Sequence, residues 1–175
     1  MADSKRDFYM KRILILGSVG SGKSTLASKL HEKLKLPIVC LDQYFWRPNW
    51  QSTEDGEWRQ KVEQLAQTRQ WIMDGNFLNT LDIRLPKADA VIFIDCNRFI
   101  CLYRFLKRIV WRREQGVIEG CRESLNIKML IWILWKFPQY SRKNIITEIE
   151  KVKDKKNIFI LKSNNDVEKF LSKIK

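Results

Sequence analysis

Residues 17–24 carry the clearest chemical signal in the sequence: they read Gly-Ser-Val-Gly-Ser-Gly-Lys-Ser and directly follow the apolar residues 13–16. Glycines at this spacing allow several backbone N–H groups to turn toward one anion, and a helix that begins here adds its partial positive charge. The pattern predicts a phosphate-binding loop, with Lys23 on the β- and γ-phosphates and Ser24 on Mg²⁺. We expect nucleotide contacts from Gly17, Ser18, Val19, Gly20, Ser21, Gly22, Lys23, Ser24 and Thr25.

The sequence lacks short motifs that several classes of nucleotide-hydrolysing protein carry, so these classes are disfavoured. GTPases of the familiar kind need a D-x-x-G switch and an N-K-x-D guanine reader, and neither string occurs among the 175 residues. Motor and transport ATPases commonly carry Asp-Glu at a strand end. The acids that follow apolar runs here are Asp42-Gln43, Asp74-Gly75 and Asp95-Cys96. Transfer of phosphate to an acceptor other than water is therefore favoured.

Each of these three aspartates ends an apolar run, and ligands of open parallel sheets bind at the carboxyl ends of the strands. Asp74 is predicted to serve the Mg²⁺ site together with Ser24, since Mg²⁺ keeps several waters and takes few carboxylates. Asp42 is predicted to orient or deprotonate an acceptor hydroxyl. Asp95 has two interpretations: a metal or substrate contact, and an N-cap of the helix that starts near Asn97.

The positive charge of the chain is concentrated in one segment. The formal net charge is +13, and in residues 97–143 the 11 basic side chains outnumber 3 acidic ones. Arg104, Arg108 and Arg112 are spaced four apart and share one helical face, which is unfavourable without an anionic partner. We interpret residues 97–143 as a lid whose Arg104 and Arg108 neutralise the phosphoryl group during transfer. A solvated surface and a DNA-binding patch are the alternatives for the same charges.

Five short apolar runs, rich in β-branched residues, alternate with helical patterns along the chain. The predicted strands are residues 12–16, 37–41, 71–73, 90–94 and 157–161. The predicted helices are residues 24–34, 54–69, 98–113, 125–137, 145–152 and 167–174. Pro138 is expected to interrupt the fourth of them. This alternation predicts an α/β fold, a five-stranded parallel sheet with helices on both faces, in one domain over residues 1–175.

Composition limits the setting in which the protein works. Hydrophobic residues make up 45% of the chain, which suits a globular core. The longest uncharged apolar run, residues 129–135, is far shorter than the roughly 20 residues that cross a bilayer. The basic N-terminal residues lead into the glycine-rich loop rather than into a cleavage-like site. We expect a cytoplasmic protein with no membrane partner and with four reduced cysteines: Cys40, Cys96, Cys101 and Cys121.

The layout resembles the adenylate-kinase-like branch of phosphate-loop kinases. Residues 74–75 are similar to the start of that family's Asp-Gly-Phe-Pro-Arg signature, and Asp95 precedes Arg104 and Arg108 by the family's nine and thirteen residues. The resemblance implies a three-layer P-loop NTPase fold with strand order 2-3-1-4-5, which sets the third strand beside the phosphate-binding loop. Residues 76–77 read Asn-Phe instead of Phe-Pro and no arginine follows, which weakens the case for AMP as the acceptor.

A more specific resemblance is to the bacterial family called DNA topology modulation protein (FlaR-like), and it extends over nearly the whole chain. It depends on the phosphate-binding loop in combination with Leu41-Asp42, Phe45-Trp46, Phe137-Pro138 and residues 48–50, 71–76, 80–84 and 91–95. The family's label implies an influence on DNA topology, so DNA is a possible partner of the basic segment.

Further candidates lie on the acceptor and adenine sides of the loop. Residues 43–70 are interpreted as an acceptor-side helical insertion, whose tryptophans either stack a ring or pack in a core. These tryptophans are Trp46, Trp50 and Trp58. Candidate holders of an acceptor anion are Arg47, Arg59 and Arg84. In similar kinases, backbone groups after the fifth strand contact adenine, which here are those of Lys162, Ser163 and Asn164.

Together these features predict an ATP- and Mg²⁺-dependent enzyme that transfers the γ-phosphoryl group to a small nucleotide-like or hydroxyl acceptor. An ATP-dependent DNA-binding or topology-modulating protein and a slow ATPase switch are the alternatives. The residues expected to take part in transfer are Lys23, Asp42, Asp74, Arg104 and Arg108. The residues expected to bind the acceptor are Asp42, Trp46, Arg47, Trp50 and Arg84.

Overall fold

Seven strands and eight α-helices are formed by residues 10–111 and 126–174, which are the residues that the computed structural model describes. The strands are β1 (Arg12–Gly17), β2 (Ile38–Cys40), β3 (Trp46–Arg47), β4 (Gln51–Ser52), β5 (Trp71–Asp74), β6 (Ala90–Ile94) and β7 (Asn157–Leu161). The helices are α1 (Lys23–Leu34), α2 (Leu41–Phe45), α3 (Asp55–Gln67), α4 (Leu81–Lys87), α5 (Arg98–Val110), α6 (Ile127–Ile131), α7 (Arg142–Glu150) and α8 (Asn164–Lys173). Two 3₁₀-helices (Pro48–Trp50 and Leu78–Thr80) and one π-helix (Trp132–Ser141) are also present.

The central sheet is parallel throughout and has the strand order β2-β5-β1-β6-β7. Since β3 and β4 form a separate antiparallel hairpin, the five sheet strands counted alone run 2-3-1-4-5, as predicted. Ile13 lies opposite Ile72 on one side and opposite Ala90 on the other, so β1 is the middle strand. The phosphate-binding loop therefore leaves the centre of the sheet.

Each face of the sheet is covered by its own hydrophobic core, which is why the strands are apolar at nearly every position. Alternate β1 side chains point to opposite faces. Leu14 and Leu16 belong to a cluster with residues of α3, α4 and α7, whereas Ile13 and Ile15 belong to a cluster with residues of α1 and α8. The predicted three-layer arrangement with helices on both faces is confirmed.

The chain stays helical from Ile127 to Glu150, so the prediction that Pro138 interrupts a helix is wrong. Pro138 lies inside the π-helix, which joins α6 directly to α7. A proline lacks the N–H that an α-helical turn requires, and the wider π turn accommodates this loss. The continuation places α7 along one wall of the site described below.

The predicted acceptor-side insertion, residues 43–70, is only partly helical. The β3–β4 hairpin interrupts it, with Trp46 paired to Ser52 and Arg47 to Gln51. Asn49 and Trp50 at its tip adopt positive φ angles of 61° and 58°, a conformation that no helical pattern predicts. Among the described residues, no helix is both long and apolar enough to span a membrane.

Candidate functional site

The phosphate-binding loop is held in shape by glycines whose backbone no other residue would adopt without strain. Gly20 has a φ of 76°, and a Cβ atom there would collide with the carbonyl group of Cys101 in α5. Gly22, with a φ of 101°, is the left-handed N-cap residue from which α1 begins. The loop therefore lies tightly between β1 and α5, with the N-terminus of α1 directed toward it.

Several polar groups of the loop have no partner within the described chain. Ser18 and Ser21 are each 3% exposed, and neither hydroxyl makes a hydrogen bond to a described residue. The Lys23 ammonium group donates to the Ser18 carbonyl oxygen at 3.1 Å. Because buried polar groups are normally hydrogen-bonded, these hydroxyls indicate a place for a polar ligand. The nucleotide contacts of residues 17–25 stay a prediction.

The predicted metal residues Ser24 and Asp74 lie together. The Ser24 hydroxyl donates to Asp74 Oδ2 at 2.7 Å, and the two belong to neighbouring elements, α1 and β5. Asp74 is 4% exposed, and its Oδ1 atom accepts no hydrogen bond from the described residues. A buried carboxylate oxygen without a donor, next to a hydroxyl, is a donor set that suits Mg²⁺.

Asp42 lies in the first turn of α2, where β2 ends, and its carboxylate opens into a cleft beside Lys23. The residue is exposed to solvent, yet the cleft walls crowd its carboxylate and raise its pKa above 3.8. Lys23 opposes this shift, Asp74 adds to it, and Trp46 and Arg108 oppose it. Asp42 thus lies within electrostatic reach of both the loop and the basic segment.

Arg104 and Arg108 of α5 have different neighbours in the site. Arg104 donates to the Ser21 carbonyl oxygen at 3.1 Å and to Asn164 Oδ1 at 2.8 Å. Arg108, one turn further along, acts on the pKa of Asp42. The third arginine of the predicted face, Arg112, lies outside the described residues.

The interpretation of Asp95 as the N-cap residue of α5 is wrong, and its interpretation as a metal or substrate contact stays a prediction. Asn97, rather than Asp95, is the N-cap residue of α5, and its side chain accepts from the Phe99 N–H at 2.9 Å. Asp95 forms a two-point ion pair with Arg142, with nitrogen–oxygen distances of 2.7 and 2.8 Å. This pair fastens the start of α7 to the carboxyl end of β6.

The three tryptophans of the insertion divide between the core and the cleft. Trp58 is fully buried and packs on Phe45 and Phe77, with ring centroids 5.0 and 4.8 Å away, so it is a core residue. Trp46 lines the cleft, and its ring lies 5.6 Å from the ring of Trp50, which is 39% exposed. Trp46 therefore remains a candidate for stacking against a ligand, and Trp50 supports it.

The predicted anion-binding arginines are already engaged. Arg47 pairs with Glu57 at 2.5 Å, and Arg59 pairs with Asp82 at 2.7 Å. Arg84 is fully buried and donates to the carbonyl oxygens of Gly75, Phe77 and Thr80. Burial lowers the pKa of Arg84 to about 9. The prediction that Arg84 holds an acceptor is therefore wrong: it fixes the backbone after β5.

Residues 162–164 lead into α8. The backbone N–H groups of Lys162 and Ser163 donate to Asp166 Oδ2 at 3.0 and 2.9 Å, within the capping box of α8. These two N–H groups are engaged within the chain, and the adenine contact of residues 162–164 stays a prediction. Asn164 Oδ1 accepts a hydrogen bond from Arg104. Both residues line a hollow of about 310 Å³ beside Gly22 and Thr25.

The cleft itself has a volume of about 1050 Å³ and extends from the phosphate-binding loop to α7. Its lining includes polar residues that the sequence analysis did not select, namely Asn76, Asn79, Asn126, Tyr140, Asn144 and Glu148. On α7 a signal was present: Asn144 and Glu148 are four residues apart and alternate with the buried Ile145 and Ile149. This pattern identifies a polar face, but only the packing shows that the face lines a cleft.

Comparison with known sequences gives one weak match. A stretch of 112 residues is 29% identical to the Uncharacterized protein YqaC of Bacillus subtilis (strain 168), and it covers 63% of this chain and 63% of that protein. No protein-family model matches the chain. The resemblance to the topology modulation family therefore stays an expectation.

Comparison with solved structures shows the fold. Deoxyadenosine kinase from M. mycoides, with the products dCMP and a flexible dCDP bound, matches with a TM-score of 0.53 at 18% identity. The match covers 93% of this chain and 97% of the deoxyadenosine kinase chain. The dATP complex of that enzyme has a TM-score of 0.51 at 17% identity, covering 93% and 98%. Shikimate kinase from Aquifex aeolicus has a TM-score of 0.50 at 18% identity, covering 93% and 92%. The chain has the fold of the P-loop kinases.

Proposed function

We propose that the protein is an ATP- and Mg²⁺-dependent kinase that transfers the γ-phosphoryl group to a hydroxyl acceptor bound in the cleft. The observation that carries this proposal is that Lys23 of the phosphate-binding loop and Asp42 at the end of β2 line one cleft and interact electrostatically. A phosphate-binding group next to a carboxylate that can position an acceptor is the arrangement that phosphoryl transfer needs.

In the proposed reaction the acceptor oxygen attacks the γ-phosphorus atom while the bond from that atom to the β–γ bridging oxygen breaks. ADP leaves, the acceptor becomes a phosphate ester, and its hydroxyl proton passes to Asp42 and then to solvent. The raised pKa of Asp42 makes the carboxylate a stronger base than an ordinary aspartate. Lys23, Arg104 and Arg108 would neutralise charge on the phosphates, since Lys23 and Arg104 contact the loop and Arg108 acts on the neighbouring Asp42.

Ser24 and Asp74 are the residues that would hold Mg²⁺. The hydrogen bond between them and the unpartnered Oδ1 atom of Asp74 support this assignment. Bound with ATP, the ion supplies charge neutralisation at the β- and γ-phosphates. The adenosine half of ATP is assigned to the hollow between α1, α5 and α8, because that hollow adjoins Gly22 at the start of α1.

The fold agrees with the proposal, since the solved structures reported above are kinases, named for two different small molecules. The proposal also accounts for the 1050 Å³ cleft, which exceeds the roughly 300 Å³ lower limit of ligand pockets and leaves room for an acceptor. A slow ATPase switch would need no such space beside Asp42.

The test is a phosphoryl-transfer screen with nucleosides, nucleoside monophosphates and small sugars, followed as ADP release. We expect at least one acceptor to raise ADP release, Lys23→Ala to abolish it, and Asp42→Asn to lower kcat about 10²–10⁴-fold with ATP binding retained. Asp154→Asn, at an exposed position outside the cleft, is the matched control and should behave as the unmodified protein. If no acceptor raises ADP release above slow hydrolysis, the kinase proposal is wrong.

A further inference from the structure

We propose that the acceptor is an uncharged alcohol of the nucleoside class, carrying a ring but no phosphate, and that the polar face of α7 selects it. This inference depends on the proposed kinase function and narrows its substrate. It is based on three features of the cleft: its charge, the engagement of the nearby arginines, and the pairing of aromatic rings with amide groups.

The cleft is not basic although the chain is. Among the described residues that line it, two lysines, Lys23 and Lys128, stand against three carboxylates, those of Asp42, Asp82 and Glu148. Lys23 belongs to the phosphate-binding loop and is assigned to ATP. Of the three carboxylates, Asp82 is paired with Arg59 at 2.7 Å and Glu148 with Lys151 at 2.6 Å. The rest of the lining therefore sets the Lys128 ammonium group against the Asp42 carboxylate, a balance that gives a second phosphate no net attraction.

The guanidinium groups of Arg47, Arg59 and Arg84, near the acceptor side, are already engaged by other groups of the protein. Binding of a phosphate in kinases relies on forked, two-point contacts from arginine. Arg47 and Arg59 are paired with Glu57 and Asp82, at 2.5 and 2.7 Å. Arg84 is fully buried with its donors on backbone carbonyl groups. An incoming phosphate would have to break one of these pairs or unfold the segment after β5.

The side chains that do face the cleft are suited to a neutral ring. Trp46 and Phe77, which both pack on Phe45, provide aromatic surface in the cleft, and Trp132 provides more. Base and aromatic rings stack with little dependence on charge. A ring stacked on one of these side chains would lie in the same cleft as Asp42.

The polar face of α7 could form hydrogen bonds with the edge of that ring. Asn144 and Glu148 of α7, with Ser141 directly before this helix, recur at helical spacing and line the cleft, while Ile145 and Ile149 are buried in the core. An amide both donates and accepts hydrogen bonds, and a carboxylate accepts them, so the pair can match the donors and acceptors of a nucleobase edge. The Asp95–Arg142 ion pair holds the start of α7 in place. Asn144 is therefore assigned as a specificity-determining residue.

The test compares nucleosides directly with their 5′-monophosphates, ribo and deoxy, in the same ADP-release assay. We expect nucleosides to be phosphorylated with a kcat/KM at least tenfold above that of the matching monophosphates. Turnover with monophosphates alone, or equally with both sets, overturns this inference and leaves the kinase proposal standing. Turnover only with ring alcohols that lack a base, or with anionic acceptors, also overturns the inference alone. If no acceptor of any kind is turned over, the kinase proposal fails and the inference fails with it.

A variant pair tests the role of α7. Asn144→Leu removes the amide at similar volume and should raise the KM for nucleosides at least tenfold with kcat changed less than threefold. Thr147→Ala, on the exposed side of the same helix, should leave both constants unchanged. Asn144→Asp, which keeps the shape, should reorder the preference among bases, and thermal unfolding reports whether each variant is folded. Equal KM values for the Asn144 variants and the unmodified protein overturn the assignment.

Discussion

The pKa values of individual side chains in this protein depend strongly on their surroundings, even between residues of one type. Cys96 shows this most clearly: the Cys101 thiol donates to its carbonyl oxygen at 3.8 Å, and an Arg104 nitrogen lies 3.9 Å from its sulfur. Together they lower the pKa of Cys96 from 9.0 to about 6, against the opposing effect of burial. Burial and the neighbouring aspartates Asp74 and Asp42 instead raise the pKa of Cys40 to about 11.

The difference predicts an order of thiol reactivity. Since the thiolate is the nucleophile, Cys96 should react with iodoacetamide at neutral pH before Cys40 and Cys101 do. Its rate should fall only below about pH 6, because a lowered pKa keeps the thiolate populated to lower pH. Peptide mass spectrometry after timed alkylation between pH 5 and pH 9 gives the profile for each cysteine. A Cys96 rate still rising steeply at pH 9 would contradict the assignment.

At the scale of elements, the site depends on how closely α5 packs against the phosphate-binding loop. The contact is between backbones, with Gly20 lying against the Cys101 carbonyl group. Arg104 extends it by a hydrogen bond to the Ser21 carbonyl oxygen at 3.1 Å. The loop therefore keeps its shape only while α5 stays in place, and any atom added between them would separate the donor site from its arginines.

Gly20→Ala tests this contact. The added Cβ atom meets a backbone carbonyl group at a positive φ, so we expect a loss of about 1–3 kcal/mol in the free energy of unfolding and weaker ATP binding. Urea unfolding and nucleotide titration measure the two effects.

Gly56→Ala is the matched control for that substitution. Gly56 lies in the first turn of α3 with open space around its Cα atom, so alanine there should be neutral or stabilise by up to about 1 kcal/mol. If Gly20→Ala behaved like Gly56→Ala, the close packing of the loop on α5 would not matter for binding.

On the scale of the whole molecule, charge is distributed unevenly. The chain carries a formal charge of +13, whereas the cleft beside the phosphate-binding loop is lined, among the described residues, by more carboxylates than ammonium groups. Part of the excess lies on the exposed side of α5, where Lys107 approaches the rings of Tyr103 and Trp111. The charges outside the cleft are therefore available to a large anion, which is the basis of the DNA alternative.

This distribution predicts weak DNA binding with a strong salt dependence. We expect duplex DNA to bind at about 50 mM salt and to be released by about 200 mM, since each phosphate contact returns a counterion. Fluorescence anisotropy with two unrelated duplexes tests this, and equal affinities indicate contacts to the backbone alone. Lack of binding at low salt would remove DNA as a partner, whereas tight, sequence-dependent binding would favour the topology-modulating alternative.

The features that the sequence predicts best are those that depend only on residues close together in the chain. The loop of residues 17–24, the N-terminus of α1 and the five strands all follow from local spacing, because backbone conformation and strand burial depend on a few consecutive side chains. The pairing of Ser24 with Asp74 was also predictable, because the resemblance to adenylate-kinase-like proteins implies that the strand ending in Asp74 lies beside the first strand, and parallel strands bring their carboxyl ends to one edge.

Tertiary structure decided which partner each charged side chain has. Asp95 and Arg142 are 47 residues apart, and nothing in the sequence near either residue marks the other. Arg84 looks like an exposed anion binder in sequence, but burial against three carbonyl groups makes it a support for the chain. The polar face of α7 was visible as a pattern, yet its position on the cleft wall depends on the helix continuing through Pro138. A local motif is thus fixed by its own backbone, whereas a charge, an amide or a ring acquires its role only from the elements that pack around it.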